Sequence, residues 1–127
     1  MRVLVDSNRY RDFCEGVPAV VDIFRRAIEI HMPFIVVGEL RAGFACSTKS
    51  MENERTLTQF LQRPRVNLLL ATQDTTRHYA NLFRQLRTQG TPIPTNDLWI
   101  AALTIEHDLI LLSRDEHFRH LPQIERR

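Results

Sequence analysis

The chain has 127 residues, of which 43% are hydrophobic and 25% charged, with a formal net charge of +2. This length and composition predict one compact domain over residues 1–127. No apolar stretch approaches the length of a membrane span, no signal peptide is visible, and the two cysteines lack metal-ligand spacing. We therefore expect a cytoplasmic protein with no membrane attachment, disulfide framework or cysteine-rich zinc site.

Short apolar runs alternate with helical patterns in the first half of the chain. Val3–Val5 predicts a buried strand, because it is bulky and lacks polar alternation. A helix is expected from Pro18, followed by a second buried strand at Phe34–Val37. Further helices are expected from Gly38 into the forties and from Ser50–Gln62. This order is typical of a strand–helix–strand arrangement.

The second half of the chain repeats the alternation. Val66–Leu70 predicts a third strand, Asp74 caps the next helix, and an almost entirely apolar helix covers Asp97–Glu106. Leu109–Leu112 predicts a fourth strand, and residues 123–127 look like a short tail. Four apolar strands alternating with helices predict an α/β fold, a three-layer α/β/α sandwich with a central parallel sheet of four or five strands.

Four carboxylates map to one edge of this predicted sheet. Asp6 follows strand one directly, Glu39 lies just past strand two, and Asp115 lies just past strand four. Asp97 begins the buried helix that faces the same edge, whereas Asp108 precedes strand four and belongs at the opposite edge. The carboxyl ends of parallel strands are where α/β proteins usually place their sites.

The four acids have an ordinary explanation when each is considered alone, since acids are common at turns and helix starts. Considered together, they would repel each other and lose hydration in one cleft unless they take up protons or share a cation. Mg²⁺ or Mn²⁺ suits an all-carboxylate site. On a chain whose 17 basic residues include sixteen arginines, this site suggests phosphodiester hydrolysis by a metal-activated water.

Several neighbours are candidates for supporting roles. Four polar residues are suited to hydrogen-bonding the carboxylates or bound waters, although turn and cap chemistry explains them equally well: Ser7, Asn8, Thr95 and Asn96. Thr95 or Asn96 is also the expected cap of the buried helix. Arg41 and Arg114 lie near the carboxylates in sequence and are candidate contacts for RNA phosphates, although unpartnered surface arginines are common.

Two other functions remain open. A metal-independent ribonuclease would use histidine and glutamate as acid and base for attack by the substrate 2′-OH. The chain has five scattered histidines: His31, His78, His107, His117 and His120. A non-catalytic RNA-binding module would use only the basic surface, but four acids in its cleft would repel RNA. A phosphoacceptor domain is disfavoured, because it needs a pair of acids after strand one and a lysine after a late strand. Here Asp6 is followed by Ser7 and Asn8, and the only lysine is Lys49.

Four ordered segments give the chain a resemblance to a known family. They are VDSN (5–8), VVGELRAG (36–43), GTPIPTNDLWIAA (90–102) and LLSRDEHF (111–118). On these segments the chain resembles the PIN-domain ribonucleases, and specifically the VapC toxins of bacterial type II toxin–antitoxin pairs. The resemblance covers essentially the whole chain. It departs from the family at residues 9–11, Arg-Tyr-Arg, where relatives often continue with apolar residues.

The resemblance implies a magnesium-dependent endoribonuclease with an acidic metal cluster formed by Asp6, Glu39, Asp97 and Asp115. It also implies a homodimer that is inhibited by a small VapB-type antitoxin, which inserts a segment into the active cleft. Two consecutive predicted helices carry more apolar surface than one sheet face needs. Core packing accounts for some of these residues, and the resemblance assigns the remainder to the dimer and the antitoxin groove: Gly43, Phe44, Leu57, Phe60 and Leu61.

Overall fold

The computed structural model describes residues 1–127 and contains a parallel four-stranded sheet flanked by helices. Its strands are β1 (Arg2–Val5), β2 (Glu29–Pro33), β3 (Val66–Leu69) and β4 (Ile110–Leu112). They lie in the order β3-β2-β1-β4, and each neighbouring pair is parallel. The predicted α/β fold with a central parallel sheet is therefore confirmed.

Six α-helices and one 3₁₀-helix surround the sheet. The α-helices are α1 (Ser7–Cys14), α2 (Pro18–Arg26), α3 (Phe34–Ala45), α4 (Ser50–Leu61), α5 (Gln73–Gln89) and α6 (Thr95–Glu106), and the 3₁₀-helix covers Glu116–His120. Helix α5 packs on α6, and α3 packs on α4. None of the helices combines the length and apolar character that a membrane crossing requires.

The second strand is the main difference from the predicted elements. The apolar run Phe34–Val37 begins helix α3, and the strand is the preceding, more polar segment Glu29–Pro33. Val36, Val37 and Leu40 are buried at helical spacing, whereas Phe34 is 42% exposed. A short apolar run fits a buried strand and a half-buried helix equally well, so periodicity alone could not separate them. Proline ends the strand and precedes the helix, a position where its missing N–H is tolerated.

The C-terminal residues are not a free tail. They run parallel to β4 along its outer side, where Leu111 N–H donates to the Glu125 carbonyl at 2.9 Å and Arg127 N–H donates to the Leu111 carbonyl at 2.9 Å. Ile124 is buried. This short pairing satisfies backbone groups that β4 would otherwise leave open at the sheet edge. The ending QIERR gave no sign of it, because its single apolar residue forms no strand pattern.

Two helices begin differently from the prediction. Helix α6 starts at Thr95 after Pro94, with no side-chain cap, so neither Thr95 nor Asn96 caps it. Helix α5 follows Thr72, whose backbone N–H donates to Thr75 Oγ1 at 2.9 Å, whereas Asp74 pairs with Arg77 in the first turn. Helix α6 still buries most of its residues, as its apolar sequence predicts.

The core fixes where the site lies. Val3, Leu4 and Val5 of β1 are fully buried, as is the 100–103 segment of α6. Replacing Leu4 by alanine would cost about 2–5 kcal/mol, the usual range for a well-packed core leucine. At the upper end of the sheet, Asp6 N–H donates to the Leu112 carbonyl at 3.0 Å, which brings the ends of β1 and β4 together. Residues that follow these two strands therefore share one edge.

Candidate metal centre

Asp6 occupies the end of β1 and is 3% exposed. Its Oδ2 accepts a hydrogen bond from Ser113 Oγ at 2.6 Å, and its Oδ1 accepts one from the Ser7 backbone N–H at 2.8 Å. Burial raises the pKa of the Asp6 carboxyl group, and the nearby charge of Asp115 raises it further, although both hydrogen bonds oppose the shift. Asp6 is thus held in a fixed orientation without a cationic partner.

Asp97 lies in the first turn of α6, as predicted, and is 9% exposed. Its Oδ2 lies 2.8 Å from His117 Nδ1. Burial raises the pKa of Asp97, and the charges of Asp115 and Asp6 add to the effect, whereas the hydrogen bond to His117 opposes it. The carboxylate therefore lies among other acids and contacts only an imidazole.

Glu39 reaches the same place from the second turn of α3, because that helix begins at Phe34. Its Oε1 atom is buried and has no hydrogen-bond partner. Burial raises the pKa of Glu39, and the charges of Asp6 and Asp97 raise it further. A buried oxygen without a donor costs free energy, so the side chain is suited to a ligand that brings positive charge.

Asp115 caps the 3₁₀-helix that follows β4. Its Oδ1 accepts a hydrogen bond from the His117 backbone N–H at 2.9 Å and lies 2.9 Å from His117 Nδ1. One ligand atom from each of Asp97, Asp115 and His117 lies within 4.8 Å of the other two. The hydrogen bond to Asp97 raises the pKa of the His117 imidazole above its ordinary value of 6.5.

Asp97 and Asp115 come within ligand distance of each other together with His117, whereas Asp6 and Glu39 are linked to them through the mutual electrostatic effects of the acids. Asp6, Glu39 and Asp97 each have a raised pKa to which at least one of the other acids contributes. None of the three forms an ion pair with lysine or arginine. A hard cation such as Mg²⁺ would satisfy the unpartnered oxygen of Glu39 and remove the repulsion. The residues present thus fit such an ion.

The predicted supporting residues have different positions. Asn8 Nδ2 lies 3.4 Å from Asp6 Oδ2, and Asn8 Oδ1 accepts a hydrogen bond from the Arg114 backbone N–H. The Asn96 side chain acts on Glu39 and lowers its pKa. Ser7 contributes its backbone N–H to Asp6. Thr95 is exposed, forms no hydrogen bond with a site residue and lines a separate surface cavity.

The two candidate arginines are both engaged with acids. Arg41 pairs with Glu54 at 2.8 Å, and Arg114 makes a two-pronged contact with Asp12 at 3.0 Å for each hydrogen bond. Arg11 of α1 is exposed and has no partner. Its charge acts on Asp6 and Glu39, since it lowers the pKa of both carboxyl groups against the larger effect of burial. Arg11 is therefore the free guanidinium beside the acids.

Sequence reasoning missed three contributors to this edge. Ser113 bridges the site, donating to Asp6 and accepting from the Asp115 backbone N–H at 3.1 Å. His117 contacts two acids, and Arg126 Nη1 donates to the Asp115 carbonyl at 2.6 Å. Ser113 directly follows β4, as Asp6 follows β1, so the same reasoning would have found it. His117 and Arg126 depend on a 3₁₀ turn and a C-terminal pairing that have no clear sequence signal.

A groove of about 500 Å³ lies beside the site between α1, α3 and α4. Its walls include Tyr10, Arg11, Leu40, Gly43, Phe44 and Glu52. Two of the apolar residues predicted to face partners, Gly43 and Phe44, thus line an open surface. Leu57 and Phe60 are buried in the core, and Leu61 is half-buried against it.

Asp108 lies at the opposite edge of the sheet from the four acids, as predicted. Asp108 lies in the turn before β4, with a positive φ of 51°. The neighbouring His107 carbonyl accepts a hydrogen bond from Arg2 Nη1 at the start of β1. Asp108 is therefore separated from the four acids by the length of the strands.

The chain is similar in sequence to known proteins. The family model described as PIN domain matches residues 14–124, a range that includes Glu39, Asp97 and Asp115 and begins after Asp6. Ribonuclease VapC1 from Haemophilus influenzae (strain R2866) is 30% identical over 95 residues, which cover 74% of this chain and 69% of the relative. Ribonuclease VapC4 from Mycobacterium tuberculosis is 28% identical over 91 residues, covering 72% of this chain and 70% of the relative.

The fold is also found in solved structures. A chain in the crystal structure of VapBC2 from Rickettsia felis, bound to a DNA fragment from its promoter, superimposes with a TM-score of 0.86. The two chains are 23% identical, and the superposition covers 100% of this chain and 98% of the other. At that identity the similarity is one of fold.

Proposed function

Because this chain belongs to the PIN-domain family and is a ribonuclease of the VapC type, we propose that it hydrolyses RNA with a divalent cation, Mg²⁺ or Mn²⁺. Asp6, Glu39, Asp97 and Asp115 would hold the ion. One arrangement supports the proposal: the acids share one sheet edge, the pKa values of Asp6, Glu39 and Asp97 are raised in part by neighbouring acids, and no lysine or arginine pairs with these three. Such an arrangement is costly without a cation.

The chain's own residues orient and charge this site. Ser113 and the Ser7 N–H fix both oxygens of Asp6, and the cap of the 3₁₀-helix fixes Asp115. When bound, the cation supplies a Lewis acid that lowers the pKa of a water molecule and neutralises charge on the phosphate. Because the site is partly buried, its effective dielectric constant is lower than that of water, and the carboxylates attract a cation more strongly there. No protein nucleophile is needed.

The test is cleavage of defined RNA oligonucleotides in Mg²⁺ or Mn²⁺ and in EDTA, with analysis of the product ends. Water attack predicts 5′-phosphate and 3′-hydroxyl ends and no cleavage in EDTA. Full activity in EDTA with 2′,3′-cyclic phosphate ends would instead establish the histidine–glutamate mechanism. RNA binding without cleavage in any metal would identify a non-catalytic module.

We further propose that RNA phosphates contact Arg11 before Arg41 or Arg114. Arg11 has no acidic partner, so it loses no ion pair when it binds phosphate. Arg41 and Arg114 would have to leave Glu54 and Asp12. The Arg41 pair is about half exposed on both sides and is therefore the easier of the two to exchange.

The proposed partners are a VapB-type antitoxin and a second copy of the chain. The groove between α1, α3 and α4 presents apolar walls at Leu40 and Phe44, and two acids, Glu15 and Glu52, also line it. A short segment with an apolar face and a basic side chain complements it. Light scattering at high micromolar concentration tests the homodimer, and a strictly monomeric protein would refute it. Co-purification with the product of an adjacent small reading frame, and loss of RNase activity in that complex, tests the antitoxin.

A further inference from the structure

The His117 imidazole lies inside the acidic site without being one of the four acids. Its Nδ1 atom is 2.8 Å from Asp97 Oδ2 and 2.9 Å from Asp115 Oδ1. The remaining histidines lie elsewhere: His31 and His107 contact Glu29 and Glu106, and neither His78 nor His120 touches a site acid through its ring. One nitrogen donor is therefore directed at the centre of an oxygen-rich site.

These two distances match the spacing of ligands on a metal ion. A six-coordinate ion with ligands at about 2.0–2.1 Å holds neighbouring ligand atoms about 2.8–3.0 Å apart. Nδ1 already has that separation from one oxygen of each aspartate. The proton that Nδ1 now shares with the aspartates would pass to solvent when an ion takes its place.

The backbone fixes the ring in this position. The His117 N–H donates to Asp115 Oδ1, the next residue Phe118 is 2% exposed, and Arg126 holds the Asp115 carbonyl. The His117 side chain itself is 47% exposed. Packing therefore does not require an imidazole here, and the ring is held by its contacts with Asp97 and Asp115, which points to a role at the acids.

We propose that His117 Nδ1 is a metal ligand, which with Asp97 and Asp115 makes this site bind Mn²⁺ more tightly than Mg²⁺. Imidazole suits transition metals, whereas Mg²⁺ favours oxygen donors and parts with water reluctantly. A site of four carboxylates alone would show less discrimination. The inference rests on the proposed function, because it assumes that the acids bind a divalent cation.

The decisive experiment is pulsed electron paramagnetic resonance of Mn²⁺ added to the full-length protein. A directly bound imidazole gives a ¹⁴N modulation that carboxylates and water do not give. We expect this modulation in the wild type, its loss in His117→Gln, and its retention in His107→Gln, the control at the opposite edge. Calorimetric titration should show that His117→Gln weakens Mn²⁺ binding about tenfold or more and weakens Mg²⁺ binding less.

The outcomes separate this inference from the proposed function. Mn²⁺ bound without ¹⁴N modulation, or with modulation that persists in His117→Gln, would overturn the role of His117 while leaving the carboxylate site intact. Equal weakening of both ions would overturn the proposed preference. If the wild type bound neither Mn²⁺ nor Mg²⁺, the metal site itself would be refuted, and His117 with it.

Discussion

The buried carboxylate of Asp12 differs from the buried carboxylates of the acidic site in the direction in which its pKa is shifted. Asp12 of α1 is 7% exposed and is contacted by Arg9 at 3.2 Å and by Arg114 at 3.0 Å. Hydrogen bonds from these arginines, first from Arg114, hold its pKa below the ordinary value. Asp6 and Asp97 are as deeply buried, yet their pKa values are raised.

Burial raises the pKa of Asp6 and Asp97, whereas at Asp12 the hydrogen bonds from Arg114 and Arg9 outweigh the effect of burial. Asp12 has its counter-charge within the chain, so its ionised form is already stabilised. Asp6 and Asp97 have other acids as neighbours, and the only basic side chain that pairs with either of them is His117, at Asp97. The chain therefore supplies no permanent positive charge to their ionised forms. A buried acid therefore indicates a ligand site when the fold provides it with no permanent cation.

Asp97→Asn should have the largest effect. If Asp97 is a metal ligand, RNA cleavage in Mg²⁺ should fall at least about 100-fold, more than the usual loss when only a ligand's support is removed. The metal-free protein should keep or slightly raise its melting temperature, because one repelling charge is gone. Cleavage rates and thermal melts with and without Mg²⁺ measure both effects.

The matched control is Asp108→Asn at the far edge of the sheet, which should retain activity. If Asp97 were only a helix-start residue, its loss would cost at most about 1 kcal/mol and leave cleavage intact. Near-wild-type cleavage by Asp97→Asn, or equal losses in both variants, would remove Asp97 from the site.

Asp12→Asn should have the opposite effect on stability. It leaves Arg9 and Arg114 without their carboxylate and should lower the free energy of unfolding by about 1–3 kcal/mol, with or without metal. Arg114 is 57% exposed, so the loss should be smaller than for a fully buried pair. Denaturant unfolding in EDTA measures it. A stabilised Asp12→Asn protein would show that the two groups of acids do not differ as described.

Arg126→Ala should weaken Mg²⁺ binding, although Arg126 does not pair with a site carboxylate. Without its hydrogen bond to the Asp115 carbonyl, the 3₁₀-helix that carries Asp115 and His117 loses an anchor. We expect Mg²⁺ affinity to fall about tenfold, as when a group that orients a metal ligand is removed. The control is Arg119→Ala on the same 3₁₀-helix, which is 64% exposed and only distantly paired. Calorimetric titrations that show no difference between the two variants would contradict this role.

The raised pKa values of the acidic site predict a pH-dependent effect of metal. A carboxyl group whose folded pKa lies above its unfolded value, 3.8 for aspartate and 4.5 for glutamate, stabilises the fold fully below that value. This stability is lost as the pH rises through the folded pKa. Asp12 has the opposite sign: its contribution is present above 3.8 and lost as the pH falls.

Because a bound cation removes the repulsion, the increase in melting temperature on adding Mg²⁺ should grow as the pH rises from about 4 towards neutrality. Thermal melts at a series of pH values, with Mg²⁺ and with EDTA, measure this increase. In Asp97→Asn it should be small at every pH. An increase that is constant over the whole range in the wild type would mean that ionisation of the acids is unrelated to metal binding.

Arg11→Ala should have the smallest effect. Removing one phosphate contact should raise the KM for RNA by about three- to tenfold and reduce the salt dependence of binding by about one charge. The value of kcat should change little, since Arg11 is not placed to hold the ion. Arg84→Ala, which removes an exposed and unpaired arginine from α5, is the control. Equal changes in the two variants would mean that Arg11 contributes only general surface charge.

The sequence predicted the fold class because four apolar runs alternate with helices, but one of those runs was assigned to the wrong element. Phe34–Val37 is a helix start, and the true strand contains Glu29 and His31, whose polarity hid it. Glu39 still reached the correct edge, because a helix that follows a parallel strand also begins there. The predicted position of Glu39 therefore does not depend on whether residues 34–37 form a strand or a helix.

The four acids could be proposed from the sequence because the predicted topology places them at one edge. The features that complete the site depend on finer geometry. His117 is brought back to Asp97 by a 3₁₀ turn, and Arg126 reaches Asp115 only because the C-terminus pairs with β4. Pairing preferences such as Arg41 with Glu54 are likewise set by helix packing, so the free arginine beside the site could not be chosen in advance.

Anomalous diffraction from crystals of the protein grown with Mn²⁺ would locate the bound ion. We expect a strong anomalous peak at the carboxyl ends of β1 and β4, within bonding distance of carboxylate oxygens from Asp97 and Asp115 and facing Asp6 and Glu39. The peak should be absent from isomorphous crystals of Asp97→Asn. A wild-type crystal saturated with Mn²⁺ that shows no peak at this edge would contradict the account.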